Sequence, residues 1–435
     1  MFRFSIILIS LILISCGQEN PHNWSYCWDG NGNNINSCTT TQQIGSTYLD
    51  FGKDISIYSS DSIYIVGHSE GDLDGNTNSG GSDIFLVKYN SLGWKQWSNL
   101  LGSTQNDFAL GSDVDSNDNV YVAGYTQGNL DGNNSNGNDD LFLSKYNSSG
   151  TKIWTSTLGS SQNDQAKDVS LFSSSVYVTG QTMGDITGDN AGNNDIFLLK
   201  YNSSGSLLWR VQKGSVDDDV SQGVATDSSG YVYITGYTKG DLTGDSSGDA
   251  DFFLAKYNSS GTIQWLMQPD TTSDSFGQSI AIDSSNNIYV TGHTKGSFDG
   301  KANLGGSDIF LVKYNTSGVK QWSRQTGSSG NEYGKGITID SSGNIYITGH
   351  ASSDLDGNRN LGGNDSFVMK FDSSGTKEWT VQTGSSYNDY ANAVSITSDG
   401  SLFITGDTDG GLDGNVNSGG TDIFLYKMNS SGTKL

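Results

Sequence analysis

The sequence predicts an all-β protein, folded as a seven-bladed β-propeller of four-stranded antiparallel blades. One cassette repeats seven times, each copy holds two strongly apolar segments, and the last copy stops before its final segment. One apolar segment reads like Asp-Ile-Phe-Leu-Val-Lys-Tyr and recurs every 55 to 57 residues. Its copies begin at Asp83, Asp140, Asp195, Asp251, Asp308, Asp365 and Asp422. The other reads like Val-Tyr-Val-Thr-Gly and begins at Ile63, Val120, Val176, Val232, Ile288, Ile345 and Leu402.

The composition agrees with a packed repeat array. Hydrophobic residues make up 33% of the chain and the net charge is -24, a balance that in an aperiodic chain would indicate disorder. Aromatic residues nevertheless make up 11% and fall at fixed places in every cassette. Because each blade buries both faces against its neighbours, modest apolar content is sufficient. The acidic balance, with no evident basic groove, argues against nucleic-acid binding.

The strands of a blade can be ordered from the propeller axis outward. Strands that converge on an axis leave little room for side chains, so small residues should mark the innermost one. One position of the first segment is small in all copies, namely Gly52, Ala109, Ala166, Ser221, Gly277, Gly334 and Ala391. The Asp83-type strand is apolar on both faces, as expected between adjacent blades. The outermost strand then carries a tryptophan, at Trp97, Trp154, Trp209, Trp265, Trp322 and Trp379.

The chain ends predict how the ring closes. The seventh copy ends at Thr433-Lys434-Leu435, so its outermost strand is missing at the C-terminus. Aligning Gly45-Ser46 with Gly384-Ser385 places residues 39–44 on that strand. We therefore predict a propeller over residues 39–435 whose last blade is completed by the N-terminal segment, which removes the open sheet edges.

The connections define two faces. Tight turns such as Asn147-Ser148-Ser149-Gly150 join the first to the second strand and the third to the fourth, and they form the short-turn face. Longer Gly-Ser-x-x-Asn-Asp and Gly-Asp-Leu-Asp-Gly-Asn connections alternate with them and form the long-loop face. The long-loop face is rich in acidic residues.

The repeated runs resemble a known family. Asp-Ser-Ser-Gly-Asn-Ile-Tyr-Ile-Thr-Gly, then Asp-Gly-Asn, then Asp-Ser-Phe-Val-Met-Lys-Phe-Asp-Ser-Ser-Gly-Thr-Lys-Glu-Trp look like the SBBP family of bacterial β-propeller repeats, over roughly residues 45–435. The resemblance implies a propeller and an exported location. It implies no particular chemistry.

The N-terminal segment predicts export. Residues 1–15 hold one Arg3 followed by an apolar run that is too short for a permanent membrane span, and we interpret them as a signal peptide. The run ends at Cys16 in a context that resembles the lipobox of bacterial lipoproteins. Residues 16–38 would form a lipid-anchored tether in which Cys27 and Cys38 can pair as a disulfide. The alternatives are an ordinary cleaved signal peptide and two free thiols.

The loop from Asp72 to Asp83 is the sharpest candidate metal site. Oxygen-bearing side chains stand at its positions 1, 3, 5, 7 and 12, a spacing that echoes calcium loops. It departs from them in having Gly75 at position 4 and aspartate at position 12. The candidate calcium ligands of this loop and a related copy are Asp72, Asp74, Asn76, Asn78, Asp83, Asp354, Asp356, Asn358, Asn360 and Asp365. The alternative is that Asp and Asn cap turns without a metal.

A second candidate ligand site is a ring of acids that begins the inner strands at the mouth of the central channel. Its members are Asp50, Asp107, Asp164, Asp219, Glu332 and Asp389. Their summed field should attract cations or basic partners. The alternative is that each carboxylate accepts backbone N–H groups.

Histidines and lysines also recur. His68, His293 and His350 share one repeat position, too far apart in adjacent blades for a common metal. Lysines lie toward the short-turn face, and because the tether enters there we expect that face to meet the anionic membrane. They are Lys88, Lys95, Lys145, Lys152, Lys200, Lys256, Lys313, Lys320, Lys370, Lys377, Lys427 and Lys434.

These features favour a binding or adhesion scaffold. We expect an exported, monomeric lipoprotein of the bacterial cell envelope, with the outer membrane as its expected site, that binds an unidentified protein or glycan through an acidic, calcium-loaded face. An envelope enzyme acting on carbohydrate or peptide through channel-mouth carboxylates is the first alternative. A purely structural envelope protein is the second. No catalytic constellation is visible in the sequence.

Overall fold

The computed structural model describes residues 27–28, 34–35, 41–58, 62–243, 250–269 and 273–435. Seven four-stranded antiparallel sheets follow one another along the chain, and the first strand of each lies beside the first strand of the next in a closed cycle. The predicted seven-bladed β-propeller is therefore confirmed.

Each blade has four strands, which follow one another from the propeller axis outward. The inner strands are Asp50–Tyr58, Asp107–Val114, Asp164–Phe172, Asp219–Thr226, Ser275–Ile282, Glu332–Ile339 and Asp389–Ile396. The second strands are Ser62–Ser69, Val120–Thr126, Ser175–Thr182, Val232–Thr238, Ile288–Thr294, Ile345–Ala351 and Leu402–Thr408. The third strands are Asp83–Tyr89, Asp140–Tyr146, Asp195–Asn202, Asp251–Tyr257, Asp308–Tyr314, Asp365–Phe371 and Asp422–Met428. The outer strands are Lys95–Leu101, Lys152–Leu158, Leu207–Lys213, Ile263–Met267, Lys320–Thr326, Lys377–Thr383 and, for blade seven, Thr41–Ile44. A 3-10 turn spans Leu130–Gly132, and a two-stranded ribbon pairs Cys27–Trp28 with Asn34–Ile35.

The core consists of layers between blades. Second and third strands are buried on both faces, so each layer joins side chains of two neighbouring blades. One layer packs Tyr64 and Leu86 of blade one against Val122 and Phe142 of blade two. Each blade thus depends on its neighbours for burial, as expected of a repeat array.

The inner strands explain the small residues that the sequence places there. A Cβ atom at Gly52 would lie 2.8 Å from the carbonyl oxygen of Gly406 in the preceding blade. Directly after this position each inner strand carries a β-bulge, where one extra residue is left out of the pairing with the second strand. A bulge re-aims the side chain of the extra residue. The bulged residues are Lys53, Leu110, Lys167, Gln222, Gln278, Lys335 and Asn392.

The outer-strand tryptophans of four blades bond to the following blade. The Trp97 indole packs against Tyr64 of its own blade, with ring centroids 6.0 Å apart. Its Nε1 donates to the carbonyl oxygen of Ser148, in the short turn of blade two, at 3.2 Å. Trp209, Trp265 and Trp379 make the same bond to the following blade.

The ring closes as predicted. Thr41–Ile44 pairs antiparallel with the third strand of blade seven, from Thr41 opposite Tyr426 to Ile44 opposite Ile423. The C-terminal residue lies on the same side of that third strand, where the Leu435 N–H donates to the Lys427 carbonyl at 2.9 Å.

The signal peptide, the lipidation site Cys16, the tether apart from its two-stranded ribbon, and the side chains of Cys27 and Cys38 lie outside the residues described. Their export, lipid and disulfide assignments stay predictions. Within the described parts of the chain, no helix is long and apolar enough to cross a membrane.

Candidate functional site

The six acids predicted to ring the channel mouth are buried between blades. Asp164 accepts hydrogen bonds from the Ser160 backbone N–H at 2.6 Å and the Ser160 hydroxyl at 2.9 Å, and Thr182 also donates to it. The backbone N–H four residues earlier makes the same bond in the other five blades that carry an acid. Asp50, Asp107, Asp164, Asp219, Glu332 and Asp389 are all fully buried.

These acids meet the aspartates that begin the third strands. Asp83 of blade one lies near Asp107 of blade two, and each pair of neighbours that carries both acids repeats this arrangement. The Gly-Ser motif fits between them, because a Cβ atom at Gly159 would lie 1.7 Å from Oδ1 of Asp140. Only glycine leaves room for the carboxylate.

Burial changes the pKa of these carboxylates and their access to a ligand. Removal from water raises the pKa of Asp107 and Asp164, and raises that of Asp83 and Asp365 to about 6. The prediction that the ring presents carboxylates to a ligand at the channel mouth is corrected, because no member reaches solvent. Their backbone bonds match the alternative interpretation, and the enzyme alternative loses its proposed acid and base.

The polar side chains of the candidate calcium loop make hydrogen bonds within the protein. Asp72 accepts the Asn78 backbone N–H at 2.8 Å, and the Asn78 amide donates to the carbonyl oxygens of Ser69 and Gly81. The Asn76 amide donates to Leu73 and to Ser98, and Asp83 accepts the Ser79 N–H at 2.6 Å. Asp74 turns outward to Lys95 and Ser98.

The related loop of blade six repeats these contacts. Asp354 accepts the Asn360 N–H at 2.8 Å, and Asp365 accepts the Leu361 N–H at 2.8 Å. The Asn358 amide donates to the Leu355 carbonyl, and Asp356 pairs with Lys377 at 2.5 Å. Among the described residues, no group of three or more His, Cys, Asp or Glu side chains could hold a metal ion. Calcium binding stays a prediction.

Thermal unfolding separates the two interpretations of these loops. A site with a dissociation constant of about 10 μM would add about 2.7 kcal/mol of stability in 1 mM calcium relative to chelator. Replacing Asp72 and Asp354 with alanine should then abolish the calcium-dependent rise of the midpoint. If the loops are capped turns, calcium leaves the midpoint unchanged, and the two substitutions lower it equally with and without the ion.

A belt of aromatic rings and histidines joins neighbouring blades next to the inner strands. The His68 ring packs between Phe51 of its own blade and Phe108 of blade two, at centroid distances of 4.9 and 4.7 Å. His293 and His350 occupy the same place in blades five and six. Burial lowers the pKa of all three histidines to about 3. They are neutral packing groups at physiological pH.

The belt predicts a pH dependence. An unfolded histidine binds a proton near pH 6.5 and folded His68 does not, so its contribution to stability is full above pH 6.5 and is lost as the pH falls. At pH 5 the loss amounts to about 2 kcal/mol. We expect His68→Tyr, which copies Tyr125 of blade two, to be about 2 kcal/mol more stable than wild type at pH 5 and equal at pH 8. Urea unfolding measures both, and Tyr125→His should show the opposite change.

The lysines of the short-turn face are fixed between blades. Lys88 ion-pairs with Asp118 at 2.9 Å and donates to the Ser148 carbonyl of blade two at 3.2 Å. Lys256 is 8% exposed and donates to Thr316 of blade five. Five outer-strand lysines pair with loop aspartates of the long connections, as Lys95 does with Asp74. The expected separation of a lysine face from an acid face is therefore wrong, because the long loops pass along the outer strands.

An arc of exposed apolar side chains occupies part of the long-loop face. Its five members lie in the long connections of blades five, six and seven and in the connections that lead from blade six to seven and from seven to one. The apolar arc consists of Leu304, Leu361, Tyr387, Val416 and Tyr48, which are 53% to 84% exposed. The equivalents of Tyr387 in blades two and three are Gln105 and Gln162.

Four loops of the arc contact one another in two pairs. The Gly363 N–H donates to the Tyr387 carbonyl at 3.1 Å, and the Gly420 N–H to the Tyr48 carbonyl at 3.2 Å. A cavity of about 590 Å³ opens beside Tyr48, and Glu70 and Asp72 line it. The short-turn side also exposes apolar residues, among them Leu92 and Trp94 in one turn of blade one and Val319 in blade five.

The channel holds residues that the sequence reasoning missed. Inner strands of all seven blades line an axial cavity of about 620 Å³, and the bulged residues contribute to its wall. Three of these residues are lysines, namely Lys53, Lys167 and Lys335. One feature of the sequence could have revealed them: the residue type at the bulge position differs from blade to blade, whereas the residue before it is always small.

The family of β-propeller repeats described as SBBP matches the chain in four stretches, residues 96–131, 209–243, 270–299 and 321–356. An uncharacterised WD repeat-containing protein of Acanthamoeba polyphaga mimivirus is 26% identical over 38% of this chain and 15% of its own length. The regulatory protein FlaEY of Caulobacter vibrioides is 28% identical over 41% of this chain and 22% of its own length. The matched region thus spans less than a quarter of either relative.

Solved structures show the same fold at low identity. The WD40 β-propeller domain of Doa1 superposes with a TM-score of 0.50 at 10% identity, over 88% of this chain and 97% of that one. Puromycin hydrolase superposes with a TM-score of 0.50 at 10% identity, over 84% of this chain and 51% of that one. At such identities the likeness concerns the fold alone.

Proposed function

This chain is a seven-bladed β-propeller that carries SBBP repeats, and on that premise we propose that it is an interaction scaffold whose long-loop face binds a partner protein. The observation that carries the proposal is the apolar arc. Contiguous exposed apolar groups, rimmed by polar residues, are typical of protein interaction sites. Tyrosines at the centre of such a patch are frequent anchors of binding energy.

The charge of the long-loop face is distributed unevenly. Acidic residues outnumber basic ones in the long connections, where the basic residues are Lys239, Lys295, Lys301 and Arg359. Three of these, Lys295, Lys301 and Arg359, lie in the connections that carry Leu304 and Leu361, and Asp299, Asp356 and Asp413 are paired with lysines. The partner would therefore be recognised mainly through apolar side chains that contact the arc.

The same proposal places the scaffold at the cell envelope. The apolar run that ends at Cys16 supports export and lipid attachment, and the following 22 residues before position 39 would serve as a tether. One acyl chain gives only marginal membrane binding, so stable anchoring requires further acylation or a second signal.

Site-specific photocrosslinking in the producing cells tests the binding face. A photoreactive residue at Val416 should capture one discrete partner, and the same residue at Val319, 56% exposed on the short-turn side, should not. Tyr387→Ser should weaken the interaction with the captured partner at least tenfold. Equal capture from both positions, or capture from Val319 alone, would contradict the proposal.

A further inference from the structure

The central channel is a feature that the proposed scaffold function does not use. Its cavity of about 620 Å³ falls within the size range of small-molecule sites. At the level of the bulges the wall carries three lysines, three amides and Leu110. No acid occupies a bulge position.

Counter-charges for these lysines are scarce. Lys53 lies 3.5 Å from the Asp407 carboxylate, which is the one ion pair that the three lysines make within the described residues. Lys167 donates to the Gln165 side-chain oxygen at 2.8 Å, and Lys335 donates to that of Gln278 at 3.2 Å. Burial lowers the pKa of both Lys167 and Lys335 to about 8, and for Lys335 the nearby Lys53 charge contributes. The hydrogen-bond partners of these two half-buried ammonium groups are thus neutral, and the carboxylates nearest to them, Asp139 and Asp407, act without a direct ion pair.

The acids of the channel wall do not serve as counter-charges for these lysines. Asp113 accepts the backbone N–H of Val114 at 2.7 Å and that of Leu171 in blade three at 2.8 Å. Asp168 accepts those of Val169 and of Val224 in blade four, each at 2.8 Å. Asp54 is bound in the same way to Ser112. These carboxylates connect the inner strands, and burial raises the pKa of Asp113 to about 7.

We propose that the channel binds a small multivalent anion, with carboxylate or phosphate groups held between Lys53, Lys167 and Lys335. The lysines stand on blades one, three and six, so they approach the axis from three sides. An enclosed cation without a counter-charge is costly, and a ligand that supplies the charge recovers that cost. Asp54, Asp113 and Asp168 share this wall, but their carboxylates are bonded to backbone N–H groups of the inner strands.

Isothermal titration of the whole protein with citrate and with inorganic phosphate tests the site. We expect saturable binding of one ligand per chain, citrate more tightly than phosphate because it carries three carboxylates for the three lysines. Lys335→Met and Lys167→Met should each weaken citrate at least tenfold. Lys295→Met removes the same charge from an exposed lysine paired with Asp274 at 2.7 Å, and it should leave binding unchanged.

Stability without ligand provides a second measurement. Lys335→Met should leave the ligand-free protein as stable as wild type or more so, while reducing the stabilisation by citrate. Absence of saturable binding, or equal weakening by Lys295→Met, would overturn the proposal. So would a Lys335→Met protein that is less stable yet binds citrate normally, since the lysine would then be structural.

Discussion

A chain that begins at Gly45, and so lacks Thr41–Ile44, is expected to lose roughly 4 kcal/mol of unfolding free energy and to associate through an open sheet edge. The lost strand contributes a ladder of four residue pairs to blade seven. Its Gln43 amide donates to Asp422 at 2.9 Å and to the Gly410 carbonyl at 3.0 Å. Gln212, Gln268 and Gln325 make the same two contacts in blades three to five.

Urea unfolding and light scattering measure this effect, and point variants locate it. Gln43→Ala should cost about 2 kcal/mol because it removes a donor from the buried Asp422 carboxylate. Gln42→Ala is the matched control, since Gln42 is exposed on the same strand, and it should change stability by less than about 0.5 kcal/mol. An unchanged midpoint for the truncated chain would mean that the N-terminal segment does not close the ring.

Replacing Asp164, one of the acids buried between blades, is expected to have the second largest effect on the free energy of unfolding. Asp164→Ala removes the acceptor of the Ser160 N–H and of the Ser160 hydroxyl, and leaves the Thr182 hydroxyl only the Gly184 carbonyl, so the expected cost is about 3 kcal/mol. Blade five offers a natural comparison, because Ser275 stands at the same position and bonds to the Thr294 hydroxyl at 2.9 Å. Ser275→Ala should cost about 1 kcal/mol.

Equilibrium unfolding in urea measures both variants on the same protein. A loss for Asp164→Ala no larger than that for Ser275→Ala would show that the carboxylate is dispensable to the junction. A gain in stability would show instead that burial of this acid is a net cost that some ligand of the protein offsets.

The repeat made much of the fold predictable. Seven copies fix the blade count, and the small residues from Gly52 to Ala391 identified the inner strand because crowding at an axis excludes larger side chains. The truncated seventh copy predicted the pairing of residues 39–44, of which Thr41–Ile44 is described. Each of these inferences rests on features that all blades share.

The candidate sites were harder to predict for the same reason. Asp164 and its five equivalents each accept the N–H four residues earlier, and nothing in the sequence distinguishes that structural role from a ligand ring. Lys53, Lys167 and Lys335 do not recur in adjacent blades, so the residues that the blades share give no sign of them. The bulge that directs them to the axis became visible only in the strand register.

Amide hydrogen exchange of the protein bound to its captured partner tests the central claim of a binding long-loop face most directly. In the complex, we expect slower exchange in residues 384–388 and 411–421, which carry Tyr387 and Val416, and unchanged exchange in the short turn at residues 315–319. Slower exchange confined to the short turns, with the long loops unchanged, would contradict the account.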